Sequence, residues 1–168
     1  MLVAKTDKDI KPVLMDPKSK ILKTPYYLIE TEDQVIFTIT PFLNGSEYNK
    51  TEGYFSNYPG VQTYQSLYGQ GIALLQRNDE LGEVKEFRVI TLNPGRQFGV
   101  PAGWAVSLVN IGKNFLVVLG NIKYSSKDLD SEPIFQKQGL AYYVVEKKGE
   151  ISFEQNPKYR VHPQITTE

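Results

Sequence analysis

The sequence predicts an all-β domain, a sandwich or barrel of many short strands. Three observations lead there. Aromatic and β-branched residues come in short runs, with Tyr 11 and Phe 8 in the chain, and such residues fit a pleated, half-buried surface. Gly 13 and Pro 10 break these runs with turn chemistry, often in company with Asn. No segment keeps a 3.6-residue apolar period, so no long amphipathic helix is expected. Close-set short strands of this kind close into sandwiches or barrels, and 168 residues suit one domain with a full core.

Residues 1–24 alternate Lys and Asp with few apolar anchors. They read as an N-terminal arm that covers a sheet edge or a neighbouring subunit, or as a loosely held terminus. Strands are predicted at Val13–Met15, Tyr26–Glu30, Val35–Pro41, Gln62–Tyr68, Gly71–Gln76, Val84–Leu92, Gln97–Val100, Ala105–Asn110, Phe115–Ile122, Ala141–Glu146 and Ile151–Glu154. Asn78 to Gly82 is a hairpin loop. Asn93-Pro94-Gly95 is a turn, because Pro fixes φ and Gly supplies φ > 0. Short helical turns fit only near Asp7–Lys11 or Pro133–Gln138. Glu83, Lys85 and Glu86 mark a solvated strand face, and Trp104 reads as core. The continuous apolar run at 115–120 predicts a strand buried on both faces. Tyr124–Glu132 is polar and predicts a flexible loop. The barrel core is expected over 25–123, with strands at 133–160 packing on it.

Acidic and basic residues cancel, 19 against 19, so no net field draws nucleic acid or an anionic membrane. Cys is absent, which removes disulfides, thiolate chemistry and Cys-ligated zinc. No apolar run approaches the roughly 18 residues of a membrane span, and the N-terminus lacks a signal peptide's apolar stretch. A cytoplasmic protein is the expectation.

Two stretches carry a resemblance. Thr91 to Asn110 reads strand, Pro94-Gly95 turn, Val100-Pro101, then Trp104 leading to Val109-Asn110. Thr63 to Gly71 ends in Gly69-x-Gly71. Together they resemble the second and first motifs of the cupin superfamily, which implies a double-stranded β-helix, or jelly-roll barrel, with additional N- and C-terminal strands. The segment TITPFLNGSEYNKTEGYF, through Thr38, Pro41, Gly45, Glu47, Tyr48, Thr51 and Gly53, is similar to the cupin-type glucose-6-phosphate isomerases. So is the C-terminal GLAYYVVEKKGEISFEQNPKY.

That resemblance implies a metal held by three His and one Glu. Carried over singly, those positions hold Tyr54, Ser56, Gln62 and Val106, none of them a good ligand for zinc, iron or manganese. The chain's one His, His162, reads as an exposed tail residue past the final strand. No metal and no cofactor is therefore expected. Isomerisation needs a base and a group that polarises the carbonyl. Gln62, at the family's base position, cannot take a proton, and the catalytic residues stay unassigned. Glu47 and Glu52 read as solvated or loop-capping residues, or else as a replacement base. A family Asp-Tyr-Gly triplet is here Ser131-Glu132-Pro133.

The phosphate side of the family site survives better. Thr38, Thr51 and Gly53 retain its hydroxyls and open backbone N–H, although Glu52 replaces a Lys and Lys50 stands just before. Tyr48, Tyr54, Tyr64 and Tyr68 cluster on strands expected to line or flank the barrel, with Tyr64 and Tyr68 on one face. Tyr, Ser and Gln on the inner wall can hydrogen-bond a sugar, or they can fill the space a metal once used. The ligand-binding set is thus Thr38, Tyr48, Thr51, Gly53, Tyr54, Ser56, Gln62 and Tyr64. Two functional readings follow. One is a metal-free cupin that binds a sugar phosphate without catalysis or with altered chemistry. The other is a sugar-phosphate isomerase or epimerase that works without the usual metal. The resemblance also implies a homodimer through sheet contact.

Overall fold

The computed structural model describes residues 1–122 and 129–168. In chain order the strands are β1 (Leu2–Ala4), β2 (Tyr26–Glu30), β3 (Val35–Ile39), β4 (Leu43–Asn44), β5 (Glu47–Tyr48), β6 (Tyr54–Ser56), β7 (Gln62–Tyr68), β8 (Gly71–Asn78), β9 (Val84–Leu92), β10 (Gln97–Val100), β11 (Trp104–Asn110), β12 (Leu116–Asn121), β13 (Leu129–Asp130), β14 (Tyr142–Lys147), β15 (Glu150–Gln155) and β16 (Ile165–Thr167). Two short helices, α1 (Asp7–Ile10) and α2 (Glu132–Gln136), complete the chain. Among these residues no helix is long and apolar enough to cross a membrane.

Two six-stranded sheets run β1-β2-β3-β12-β7-β10 and β13-β6-β11-β8-β9-β16, beside a four-stranded sheet β15-β14-β5-β4. The first two face each other as a jelly-roll barrel. Their inward residues, among them Phe37, Tyr64, Leu75, Ile90, Val106 and Leu116, form one core. The other face of the second sheet carries a second core, in which Ile72, Leu74, Phe87 and Val109 pack with Ile10, Val13, Ile134 and Val144 from the added elements.

Two covered faces explain why all of β11, and β8 from Gly71 to Gln76, are buried. The sequence placed two-sided burial at 115–120 instead. There Phe115 is exposed, and Val117 and Leu119 are half-buried. β12 belongs to the first sheet, whose outer face has no covering layer among the described residues. The turn from β7 into β8 requires glycine at Gly69, where φ is +84° and a Cβ would lie 2.2 Å from the Phe115 carbonyl oxygen.

Several expectations need correction. Val13–Met15 is not a strand; Lys11–Val13 is a 3-10 turn with Pro at its start. Ile10, Val13 and Leu14 are fully buried, so residues 1–24 are well anchored, with β1 extending the first sheet beside β2. The predicted loop Tyr124–Glu132 lies largely outside the described residues, but Leu129–Asp130 pairs with β6 and Glu132 starts α2. His162 is no free tail residue: its Nε2 lies 2.7 Å from the Asn156 carbonyl oxygen and its ring packs edge-on to Tyr142. β16 follows it and pairs in parallel with β9. β1, β4, β5, β6, β13 and β16 escaped prediction because two or three residues are too few to show alternation.

Candidate functional site

The two stretches that carry the resemblance converge at one end of the space between the sheets. Antiparallel pairing of β6 and β11 sets Tyr54 opposite Val106. Across the barrel β7 begins at Gln62, whose Nε2 donates to Ser56 Oγ at 2.7 Å. The four positions expected from the resemblance to hold ligands therefore share one space, filled by other chemistry. The Tyr54 and Tyr64 hydroxyls hydrogen-bond each other in the core, and Tyr64 stacks on Phe98 with ring centroids 5.0 Å apart. At depth the barrel is packed. Hydroxyl, amide and alkyl groups do not fit the imidazole and carboxylate coordination that a transition metal needs. Among the described residues no group of three or more His, Cys, Asp or Glu could hold an ion.

Above the packed region the barrel opens into a cavity of about 410 Å³, lined by Asp33, Ser56, Tyr58, Gln62, Asn121 and Ile122 among others. This volume suits a small ligand. The Ser56 hydroxyl also accepts the Tyr58 N–H at 3.1 Å, and Asn121 Oδ1 accepts Gln34 Nε2 at 2.8 Å. Sequence reasoning missed Asp33, Tyr58 and Asn121. They come from a hairpin loop, an exposed turn and a strand end, and no spacing links them.

The remaining predicted ligand residues lie elsewhere. Thr38 points away from the barrel, because its neighbours Phe37 and Ile39 are the ones in the core. Thr51 is buried and spoken for: its N–H donates to the Leu108 carbonyl at 2.9 Å, and its Oγ1 accepts the Leu108 N–H at 3.0 Å. Gly53, at φ +87°, approaches Ile134 and the Val106 carbonyl, and its own carbonyl accepts Ser131 Oγ at 2.6 Å. Tyr48 lies in the four-stranded sheet, where burial and then the Glu146 carboxylate hold its phenol above the usual range. Tyr68 does not share a face with Tyr64. A β-bulge between Val117 and Val118 skips Leu67 and turns Tyr68 out to solvent, because an extra residue reverses the alternation. Thr51→Val, which keeps the shape but removes the acceptor, is expected to lower stability by about 1–3 kcal/mol. Urea unfolding checks this, and an unchanged midpoint would show that the Leu108 N–H does not depend on Thr51.

Glu47 and Glu52 are not solvated. Glu47 is 1% exposed; its Oε1 accepts the Met15 N–H at 2.9 Å and its Oε2 lies 2.6 Å from Lys50 Nζ. Lys50 also donates to the Val13 carbonyl at 2.7 Å, so its charge is turned away from the barrel mouth. Glu52 is nearly buried, ion-paired with Lys5 at 3.0 Å and hydrogen-bonded to the Tyr26 hydroxyl. The expected solvated face at Glu83, Lys85 and Glu86 divides as well. Lys85 is exposed, whereas Glu86 binds Arg77 and Arg88.

Comparison with known proteins places these features in context. The model of the glucose-6-phosphate isomerase (GPI) family matches residues 28–162. The chain is 30% identical over 142 residues to the glucose-6-phosphate isomerase of Thermococcus litoralis, covering 80% of this chain and 71% of that one. It is 31% identical over 135 residues to that of Pyrococcus furiosus, covering 78% and 68%. Among solved structures, the CENP-C cupin domain of Drosophila melanogaster superposes with a TM-score of 0.46 at 12% identity, over 61% of this chain and 71% of that one. An oxalate oxidase in complex with the substrate analogue glycolate gives 0.44 at 14% identity, over 60% and 46%.

Proposed function

Because the chain belongs to the glucose-6-phosphate isomerase family, whose model it matches over residues 28–162, we propose that it is a metal-free member that binds a sugar phosphate at the barrel mouth. In this reading it does not carry out the isomerisation through a metal. The observation that carries the reading is the fate of the four ligand positions. Gln62 and Ser56 hydrogen-bond each other, Tyr54 is tied to Tyr64, and Val106 packs beside them. Hydroxyls and amides suit neutral sugar hydroxyls. The lining of the mouth offers several, from Ser56, Asn57, Gln62 and Asn121, with the Asp33 carboxylate beside them.

The relatives' names favour a second reading, a retained isomerase or epimerase. Metal analysis and a coupled assay on fructose 6-phosphate separate the two. We expect no stoichiometric iron, zinc or manganese and no chelator-sensitive turnover. Glucose 6-phosphate or fructose 6-phosphate, at 100 times its dissociation constant, should stabilise the fold by about 2.7 kcal/mol. Bound metal with turnover that a chelator stops would establish the enzyme instead. No thermal shift with any sugar phosphate would leave a scaffold with a filled barrel.

Two further parts of the reading concern setting and assembly. Balanced charge and the family's substrate class support a cytoplasmic protein acting on a small molecule, without nucleic acid or membrane. The outer face of the first sheet supports a homodimer. Its cross-strand pairing aligns Tyr27 with Thr38 and Val117, and Ile29 with Ile36 and Leu119. Tyr27, Ile29 and Tyr68 there are exposed, and such an apolar sheet face marks a contact surface. Light scattering should report a dimer for the parent chain and a monomer for Ile36→Glu. A monomeric parent would remove the dimer from the reading.

A further inference from the structure

The sugar-phosphate reading leaves the phosphate without a seat. Thr51 is consumed by β11, Gly53 lies packed against Val106 and Ile134, and Thr38 faces outward. Along the inner face of the second sheet, however, the register builds a row at the open end of the barrel. Phe55 pairs with Ala105, which carries Ser56 alongside Trp104; Trp104 pairs with Arg77, and Arg77 with Glu86. Arg88, two residues along β9, extends over the Trp104 ring with its guanidinium carbon 4.3 Å from the centroid. Arg77 lies 6.0 Å from the same ring. Trp104 is itself buried in the barrel core, so it holds both guanidinium groups from a fixed platform.

Glu86 bridges the two. Its Oε1 accepts from Arg77 Nε at 3.0 Å and Nη2 at 2.5 Å, and its Oε2 accepts from Arg88 Nη2 at 3.4 Å. A carboxylate spanning two guanidinium groups occupies the place of an anion whose oxygens reach both. The cluster keeps an excess of positive charge, and its long Arg88 bond leaves much of that fork unused. A phosphate dianion has more charge and more acceptor oxygens than a carboxylate, and planar guanidinium groups bind it in bidentate fashion. Arg77, Arg88 and Glu86 are each partly exposed, so an incoming anion can reach them. Adjacent strands are about 4.8 Å apart. Ser56 and Arg77 are two strands apart, about 10 Å by that spacing, a distance that an extended sugar phosphate can span.

We propose that Arg77 and Arg88, braced on Trp104, form the phosphate subsite of the ligand, with Glu86 as the internal occupant that phosphate displaces. The proposal rests on the sugar-phosphate reading above and adds the group that recognises the anion. The test is a titration of the full chain with glucose 6-phosphate, glucose and inorganic phosphate at constant ionic strength. It is followed by calorimetry and by the fluorescence of Trp104, the only Trp in the sequence. Glucose 6-phosphate and phosphate should change that fluorescence. Arg88→Gln should weaken both by about tenfold or more and leave glucose unaffected, whereas Glu86→Gln should tighten both. A purely structural role for the cluster predicts no tightening. If the parent binds glucose 6-phosphate and both Arg77→Gln and Arg88→Gln bind it equally well, the subsite is wrong and the sugar-phosphate reading stands. If the parent binds phosphate in an arginine-dependent way but no sugar phosphate, the subsite stands and that reading fails. If it binds neither, both fall.

Discussion

Lys50→Met is expected to lower the unfolding free energy by about 3–5 kcal/mol, because it leaves a carboxylate buried without its counter-charge. Glu47, the partner, is 1% exposed and meets the lysine ammonium at 2.6 Å. Among the described residues its Oε2 has no aligned hydrogen-bond donor, so there that oxygen depends on the ionic contact with Lys50. The exchange also cuts the bond from Lys50 to the Val13 carbonyl and the contact with the Tyr143 ring at 5.0 Å. Glu47 in turn holds the Met15 N–H and pairs through its backbone with Val145 of β14. The ion pair is therefore the junction of the N-terminal arm, β5 and the C-terminal sheet. Urea unfolding at neutral pH measures the effect. The double variant Glu47→Gln, Lys50→Met removes both charges and should recover a good part of the loss. A single variant as stable as the parent would mean that water or a local shift solvates Glu47 and that the junction is not electrostatic.

The same pair shows where sequence reading stops. Glu47 and Lys50 are three residues apart in a polar stretch, which is how a solvated turn also looks. Val13 and Met15, brought in by the arm, and β14, brought in from the far end of the chain, help to bury them. The long strands were legible because alternation over five or more residues leaves few choices, and Tyr26–Glu30, Gln62–Tyr68 and Val84–Leu92 fall where the pattern put them. The Gly69-x-Gly71 turn and the Pro94-Gly95 turn fixed the two barrel motifs, and from them the positions of Gln62 and Val106 could be counted. Partners were not legible. Thr51 carries the same hydroxyl whether it faces a phosphate or the Leu108 N–H, and a β-bulge at Leu67 leaves no mark that would tell Tyr68 from Tyr64. Arg77, Glu86 and Arg88 meet only through the pairing of β8 with β9, and in the sequence they pass for surface charge.

Placing three His and one Glu at the positions that the family resemblance assigns to metal ligands should create a metal site. The quadruple variant Tyr54→His, Ser56→His, Gln62→Glu, Val106→His is expected to take up about one zinc, iron or manganese ion per chain, through three imidazoles and one carboxylate. The parent is expected to take up none. The backbone supports this. Tyr54 and Val106 are already cross-strand partners, and the Ser56 and Gln62 side chains already touch, so the four new groups need only rotamer choices to converge. Volume is roughly balanced, since Tyr54 shrinks while Ser56 and Val106 grow, and Tyr64 keeps its stack on Phe98. A metal at 1,000 times its dissociation constant should stabilise the variant by about 4.1 kcal/mol, and a chelator should reverse that shift. Val106→His alone should bind no better than the parent, because one imidazole is not a site. The variant must first give a cooperative melt without metal. If it folds and still takes up no ion, the barrel has lost the geometry as well as the ligands, and its interior has been repacked around Tyr54 and Tyr64 rather than merely stripped of imidazole. If it takes up metal and gains fructose 6-phosphate turnover that a chelator stops, side chains at those four positions alone separate this chain from that chemistry.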